Sequence, residues 1–180
     1  MSTKLNNLKV AILVADNFEQ VEMTKPREAL EKAGAKVYLI SPKKTVKGCH
    51  HDKPGDEFSV DVLLDDANAN DYGALLLPGG VFNPDHLRTL PNAIHFIHKI
   101  VAAQKPVAAI CHGPWTLINA EAVKGRTLTS WPSIKVDLMN AGAHWVDKEV
   151  VRDGNLVTSR KPGDIPAFNQ AMIELFSEAI

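Results

Sequence analysis

The chain has 180 residues, 45% of them hydrophobic and 23% charged, with a formal net charge of −1. That length suits one domain, spanning 1–180, able to bury a core without disulfide staples. The near-balanced charge and the lack of a Lys/Arg run argue against nucleic acid as a stable partner. No apolar run approaches the ~20 residues of a membrane span.

Met1 to Leu8 carries one lysine and no apolar stretch of signal-peptide length, so a cytoplasmic location is expected. In a reducing compartment the two cysteines, Cys49 and Cys111, are expected as free thiols.

Along the chain, apolar runs alternate with amphipathic stretches, the pattern of βαβ units around a parallel sheet. Val10–Ala15 reads as a central strand. The helix after it stops at Ala33, with Gly34 as its left-handed cap. Pro26 belongs near the start of that helix or kinks it. Lys36–Ser41 is the second strand. Residues 42–57, rich in Lys, Gly, Pro and Asp, read as loop, with an edge hairpin ending in Phe58–Val62. Ala74–Leu77 is a buried strand stopped by Pro78-Gly79-Gly80.

Pro91 opens a helix running to about Ala103. Val107–Cys111 is a short strand, Pro114–Ala122 a helix, and Ser133–Ala141 another helix closed by Gly142. Asp153-Gly154-Asn155 is a hairpin turn between Glu149–Arg152 and Leu156–Ser159. The last helix begins near Asp164. The expected fold is α/β, a three-layer sandwich on a mainly parallel sheet.

The chemistry points to Ala108-Ala109-Ile110-Cys111-His112-Gly113-Pro114. A strand ends at Cys111 and a helix begins almost at once, so the thiol projects over the carboxyl ends of the strands, where such sheets place their sites. Gly113 allows the close approach of a tight turn. Unpaired N–H groups and the positive end of the helix favour thiolate, the nucleophilic form. His112 offers an acid/base group or a backbone N–H. Gly79 and Gly80 end another strand at the same edge and supply backbone donors of oxyanion-hole type.

Glu19 and Glu22 follow the first strand. They either complement a helix dipole or aim a carboxyl at Cys111. A buried, protonated glutamic acid there would donate a hydrogen bond to a thiolate. Cys49-His50-His51 is not a metal site, since adjacent ligands rarely close a tetrahedron. His86, His95 and His98 read as structural. Trp115, Trp131 and Trp145 read as core or interface.

PVAAICHGP, LLLPGG, DNFEQVE and the long segment from Pro132 to Asn169 resemble the PfpI/ThiJ family of small cysteine enzymes. The similarity extends from Lys9 to about Phe176. It implies a flavodoxin-like sandwich related to class I glutamine amidotransferases, assembled as homodimers or hexamers, with no cofactor. It implies that Cys111 is the nucleophile, His112 its neighbouring histidine, Glu22 the carboxyl contacting the sulfur and Glu19 a second acid nearby. Gly80 and the His112 amide would be the oxyanion donors. The loop holding Cys49 would lie at the mouth of the cleft, in reach of substrate.

Asp85 falls where PfpI-type members carry an acid that reaches the histidine of a neighbouring subunit. Here it is Asp rather than Glu, in a loop one residue longer. The late His-x-Glu of the amidotransferases has no counterpart at Val157-Thr158-Ser159-Arg160, which excludes glutamine hydrolysis.

Three activities follow from the resemblance. The first is a stress-protective enzyme acting on small aldehydes or glycated proteins, of glutathione-independent glyoxalase or deglycase type. The second is a cysteine peptidase with Cys111, His112 and Asp85. The third is a redox sensor or chaperone that uses oxidation of Cys111.

Overall fold

The computed structural model describes residues 4–180. In chain order the elements are β1 (Lys9–Leu13), β2 (Phe18–Glu19), α1 (Gln20–Lys32), β3 (Lys36–Ser41), β4 (Thr45–His50), β5 (Lys53–Ser59), β6 (Val62–Leu63), β7 (Ala74–Leu77), α2 (Phe82–Leu87) and α3 (Pro91–Ala102). Then come β8 (Val107–Ile110), α4 (Pro114–Asn119), β9 (Thr127–Leu128), α5 (Lys135–Asn140), β10 (His144–Trp145), β11 (Val150–Asp153), β12 (Leu156–Ser159) and α6 (Ile165–Ser177).

The main sheet has the order β11-β12-β8-β7-β1-β3-β6. Every pairing in it is parallel except β11 with β12, joined by the Gly154 turn. Its strands are apolar without alternation because both faces are covered. Val10, Ile12, Ala74 and Leu76 pack against Met23 and Leu30 of α1 and Phe168, Met172 and Phe176 of α6. Ala11, Leu13, Leu75 and Leu77 face the other way, against Phe96, Ile97 and Ile100 of α3 and Leu117 of α4. The result is the expected three-layer flavodoxin-like sandwich.

The structure differs from or adds to the expectations at four places. Residues 42–57 are not a plain loop: β4 and β5 form a long antiparallel hairpin, and β2 adds to β4 in parallel. Gln20 holds this small sheet down, since its Oε1 accepts from the Asp56 N–H at 2.7 Å and its Nε2 donates to Asp56 Oδ2 at 2.7 Å. Pro26 is not near the start of α1 but inside it. It removes only the N–H that would have bonded the Glu22 carbonyl. The stretch after Gly80 contains a helix, α2, that composition did not signal. The helix placed at Ser133–Ala141 opens instead as a tight turn over Pro132–Ile134 before α5.

Candidate active site

The carboxyl ends of β1, β7 and β8 bring three short turns together. At the end of β8, Cys111 has φ +63°, left-handed backbone that side chains other than glycine rarely adopt. Holding it there costs about 1–3 kcal/mol, so the surroundings must impose it. They do so through two hydrogen bonds: the Cys111 N–H donates to the Ser159 carbonyl at 3.0 Å, and the Trp131 N–H donates to the Cys111 carbonyl at 2.9 Å. Gly113 is required beside it, since a Cβ there would lie 2.4 Å from the Leu77 carbonyl oxygen.

The turn after β7 is set by Asn83, which is fully buried. Its Nδ2 donates to the carbonyls of Pro78 and Gly79 at 3.1 and 3.0 Å, and its Oδ1 accepts from the Ala15 N–H at 2.7 Å. Asn83 thus ties the β1 and β7 turns together. Nothing in the sequence after Pro78-Gly79-Gly80 marks Asn83 for this role, which rests on tertiary contacts.

Glu22, on the first turn of α1, has 0% exposure. Its Oε1 accepts from the Gly79 N–H at 3.0 Å, while Oε2 is buried with no hydrogen-bond partner. Burial first, and the nearby Glu19 second, push its carboxyl up to about 8, so it is protonated at neutral pH. The group it faces is Cys111.

The Cys111 thiol is also pushed up, by burial and by any charge on Glu22. The N–H groups of Gly80 and His112 point at the sulfur and pull the other way. The thiolate preference expected from a helix start is thus outweighed: α4 has only six residues, whereas burial is nearly complete. Thiolate and carboxylate compete for one negative charge, and protonating Glu22 removes the repulsion that opposes the thiolate.

His112 Nδ1 lies 3.2 Å from Cys111 Sγ, and its Nε2 lies 3.2 Å from Ser133 Oγ. The ring stacks on Trp131 at 6.0 Å between centroids and 22° between planes. Burial pushes His112 down to about 4, so it is neutral at physiological pH. Nothing in Pro132-Ser133 sets this hydroxyl apart from that of an ordinary turn.

These groups line a cleft of about 350 Å³ with Asn17, Cys49, His51, Phe82 and Pro162. Cys111, His112, Glu22, Gly80 and Glu19 all border it, and the Gly79 amide backs it. Glu19 and Glu22 do not share a helix face, because α1 begins only at Gln20. Glu19 turns toward the hairpin instead, where it accepts from the His51 N–H at 3.1 Å and from the Cys49 thiol at 3.9 Å. The loop of Cys49 does reach the mouth of the cleft. Among the described residues, no three metal-ligating side chains cluster. Asp85 stands apart: it is exposed on α2, in a neighbouring depression of about 450 Å³ with Asp16, Ser41, Lys43 and His86. Within the chain it does not line the cleft of Cys111.

Residues 8–175 match the DJ-1/PfpI family. The chain belongs to the DJ-1/PfpI family. It is 47% identical over 174 residues to General stress protein 18 of Bacillus subtilis, covering 94% of this chain and 98% of that one. It is 44% identical over 169 residues to the B. subtilis protein named "Putative cysteine protease YraA", covering 93% and 97%. Among solved structures, Drosophila melanogaster DJ-1beta superposes with a TM-score of 0.84 at 28% identity, covering 96% of this chain and 95% of that one. The resemblance read from PVAAICHGP is therefore borne out, and with it the fold.

One prediction concerns Gly79, which is packed between the nucleophile and Glu22 in this DJ-1/PfpI site. A Cβ on Gly79 would sit 2.6 Å from Cys111 Cβ, 2.7 Å from Glu22 Oε1 and 2.9 Å from the His112 nitrogen. Two of those atoms belong to the strained turn and cannot swing away. Gly79→Ala should lose about 1–3 kcal/mol of stability in urea unfolding. It should also displace the Glu22 carboxyl from Cys111. An unfolding midpoint equal to wild type would show that the turn yields freely.

Proposed function

We propose that this protein is a cysteine-nucleophile enzyme for small reactive carbonyls, converting 2-oxoaldehydes such as methylglyoxal to hydroxy acids without glutathione. The observation that carries this reading is the Glu22 carboxyl: fully buried beside Cys111, with one oxygen on the Gly79 N–H and the other without a hydrogen-bond partner. A 2-oxoaldehyde rearrangement needs a group that gives a proton to one atom and removes one from another, beside a covalently held substrate.

The steps balance as follows. The Cys111 thiolate adds to the aldehyde carbon, and the new alkoxide takes the Glu22 proton, giving a hemithioacetal. The Gly80 and His112 N–H groups lie beside the sulfur, within reach of the developing oxyanion. The Glu22 carboxylate then takes the C–H proton of that carbon, the electron pair forms an enediolate, and the hydroxyl proton shifts from the first oxygen to the second. Returning the proton to the adjacent carbon leaves a thioester of the hydroxy acid. Water hydrolyses the thioester, releasing the acid and restoring the thiol.

Adducts of such aldehydes on Cys, Lys and Arg side chains would enter the same sequence in reverse of their formation. A role under stress is in keeping with the name of General stress protein 18. The peptidase reading needs an acid on the outer nitrogen of His112. Within the chain that nitrogen meets the Ser133 hydroxyl instead, so an Asp85 from a neighbouring copy would have to displace it.

The test is lactate formation from methylglyoxal by purified protein without glutathione, run beside a casein-cleavage assay. Turnover of methylglyoxal with intact casein is the expected result. Casein cleavage without lactate would replace this reading with the peptidase.

A further inference from the structure

Cys111 and His112 are only 6% and 5% exposed, so little of the thiol meets water directly. A run of contacts does lead outward. Cys111 Sγ is 3.2 Å from His112 Nδ1, and His112 Nε2 is 3.2 Å from Ser133 Oγ. Ser133 itself is exposed, in the turn over Pro132–Ile134. The Trp131 stack fixes the ring plane, and the Trp131 N–H is bonded to the Cys111 carbonyl, so the turn carrying Ser133 is tied to the nucleophile it serves.

A neutral imidazole accepts a proton on one nitrogen only by releasing the proton on the other, unless it becomes charged. The partner of the outer nitrogen therefore decides what the ring can do. A carboxylate holds a proton on Nε2 and fixes one tautomer. A hydroxyl both accepts and donates, and so supports either tautomer.

We propose that Ser133 is the positioning residue for His112 and the solvent end of a proton relay that ionises Cys111. The S–H proton passes to Nδ1, the Nε2 proton passes to Ser133 Oγ, and the Ser133 hydroxyl proton passes to water. One proton leaves, no covalent bond to carbon forms, and the ring ends neutral with its tautomer inverted. Rotation of the Ser133 hydroxyl then turns its O–H toward Nε2. The Nδ1–H in turn donates to the thiolate, adding a third donor to the N–H groups of Gly80 and His112.

The lowered basicity of His112 agrees with this, because burial disfavours an imidazolium that would hold the proton. The arrangement also makes the Cys–His pair complete within one chain. The inference rests on the proposed function only in taking Cys111 as the reacting atom.

The experiment reads the resting protein. Iodoacetamide labelling at pH 7.5, with the Cys111 and Cys49 peptides separated by mass spectrometry, reports the thiolate population of Cys111. Nitrogen-15 NMR of the histidines reports the His112 tautomer. Ser133→Ala should slow Cys111 labelling about tenfold, the upper end of what one neutral hydrogen bond is worth, and shift the His112 tautomer signal. Ser133→Thr keeps the hydroxyl and should label at close to the wild-type rate. Labelling of the alanine variant at the wild-type rate, or a threonine variant as slow as alanine, would overturn the proposal. Neither readout requires carbonyl turnover, so failure of the methylglyoxal assay and failure of the relay are separate results.

Discussion

Cys111→Ala should abolish lactate formation from methylglyoxal, lowering kcat/KM by ~10⁴-fold or more, as for loss of a covalent nucleophile. At φ +63° the Cys111 side chain projects from the strand end into the cleft, where it meets the Glu22 carboxyl. The second thiol, Cys49, lies on the hairpin side, where it donates to the Asn17 carbonyl at 3.3 Å. Burial and Glu19 push its thiol up, and no backbone N–H pair like that of Gly80 and His112 offsets them, so it is a poor substitute. Alanine keeps the Cβ and the strain, and the fold loses only a buried sulfur. The check is turnover alongside thermal unfolding: activity should vanish while the protein unfolds cooperatively near the wild-type midpoint. Residual activity within tenfold of wild type would remove Cys111 from the mechanism.

How far the sequence reached is best seen at individual residues. The strand-Cys-His-Gly-Pro order was enough to place Cys111 at an elbow, because a strand end, a glycine and a proline within four residues leave the chain little choice. The Pro-Gly-Gly stop placed Gly79 and Gly80 at the same edge for the same reason. The long apolar runs of β1, β7 and β8 made a parallel sheet legible, since only strands covered on both faces lack alternation.

What stayed hidden depended on tertiary contacts. The β4–β5 hairpin is built from Lys, Gly, Pro and Asp, residues with low strand propensity, and it is held by Gln20 from another element. Ser133 and Asn83 act through partners at least four positions away in sequence, and neither belongs to a spacing pattern. The direction of the Cys111 shift was legible only once burial was known. Helix starts lower a thiol and desolvation raises it, and sequence reveals the first but not the second.

Glu22→Gln should lower methylglyoxal turnover by about 10²–10³-fold, within the range for loss of a positioned acid/base. The amide nearly matches the carboxyl in shape and still accepts from the Gly79 N–H, but it neither gives up a proton to the alkoxide nor takes one from carbon. The pH dependence separates this from a packing defect. Burial raises Glu22 from 4.5 to about 8, so the folded protein holds a proton there that the unfolded chain has already lost. The stability this contributes is complete below pH 4.5 and disappears as pH rises through about 8. Within that window the slope is on the order of 1 kcal/mol per pH unit.

Glutamine does not titrate, so the variant should lose this slope and become more stable than wild type above pH 8. Wild-type turnover should fall above about pH 8 for the same reason: an ionised Glu22 can no longer protonate the alkoxide, and its charge opposes the thiolate. Urea unfolding of both proteins between pH 5 and 9, with rate profiles over the same range, supplies the check. Parallel stability curves would mean that Glu22 is charged in the folded protein, and the proton it is asked to give would not be there.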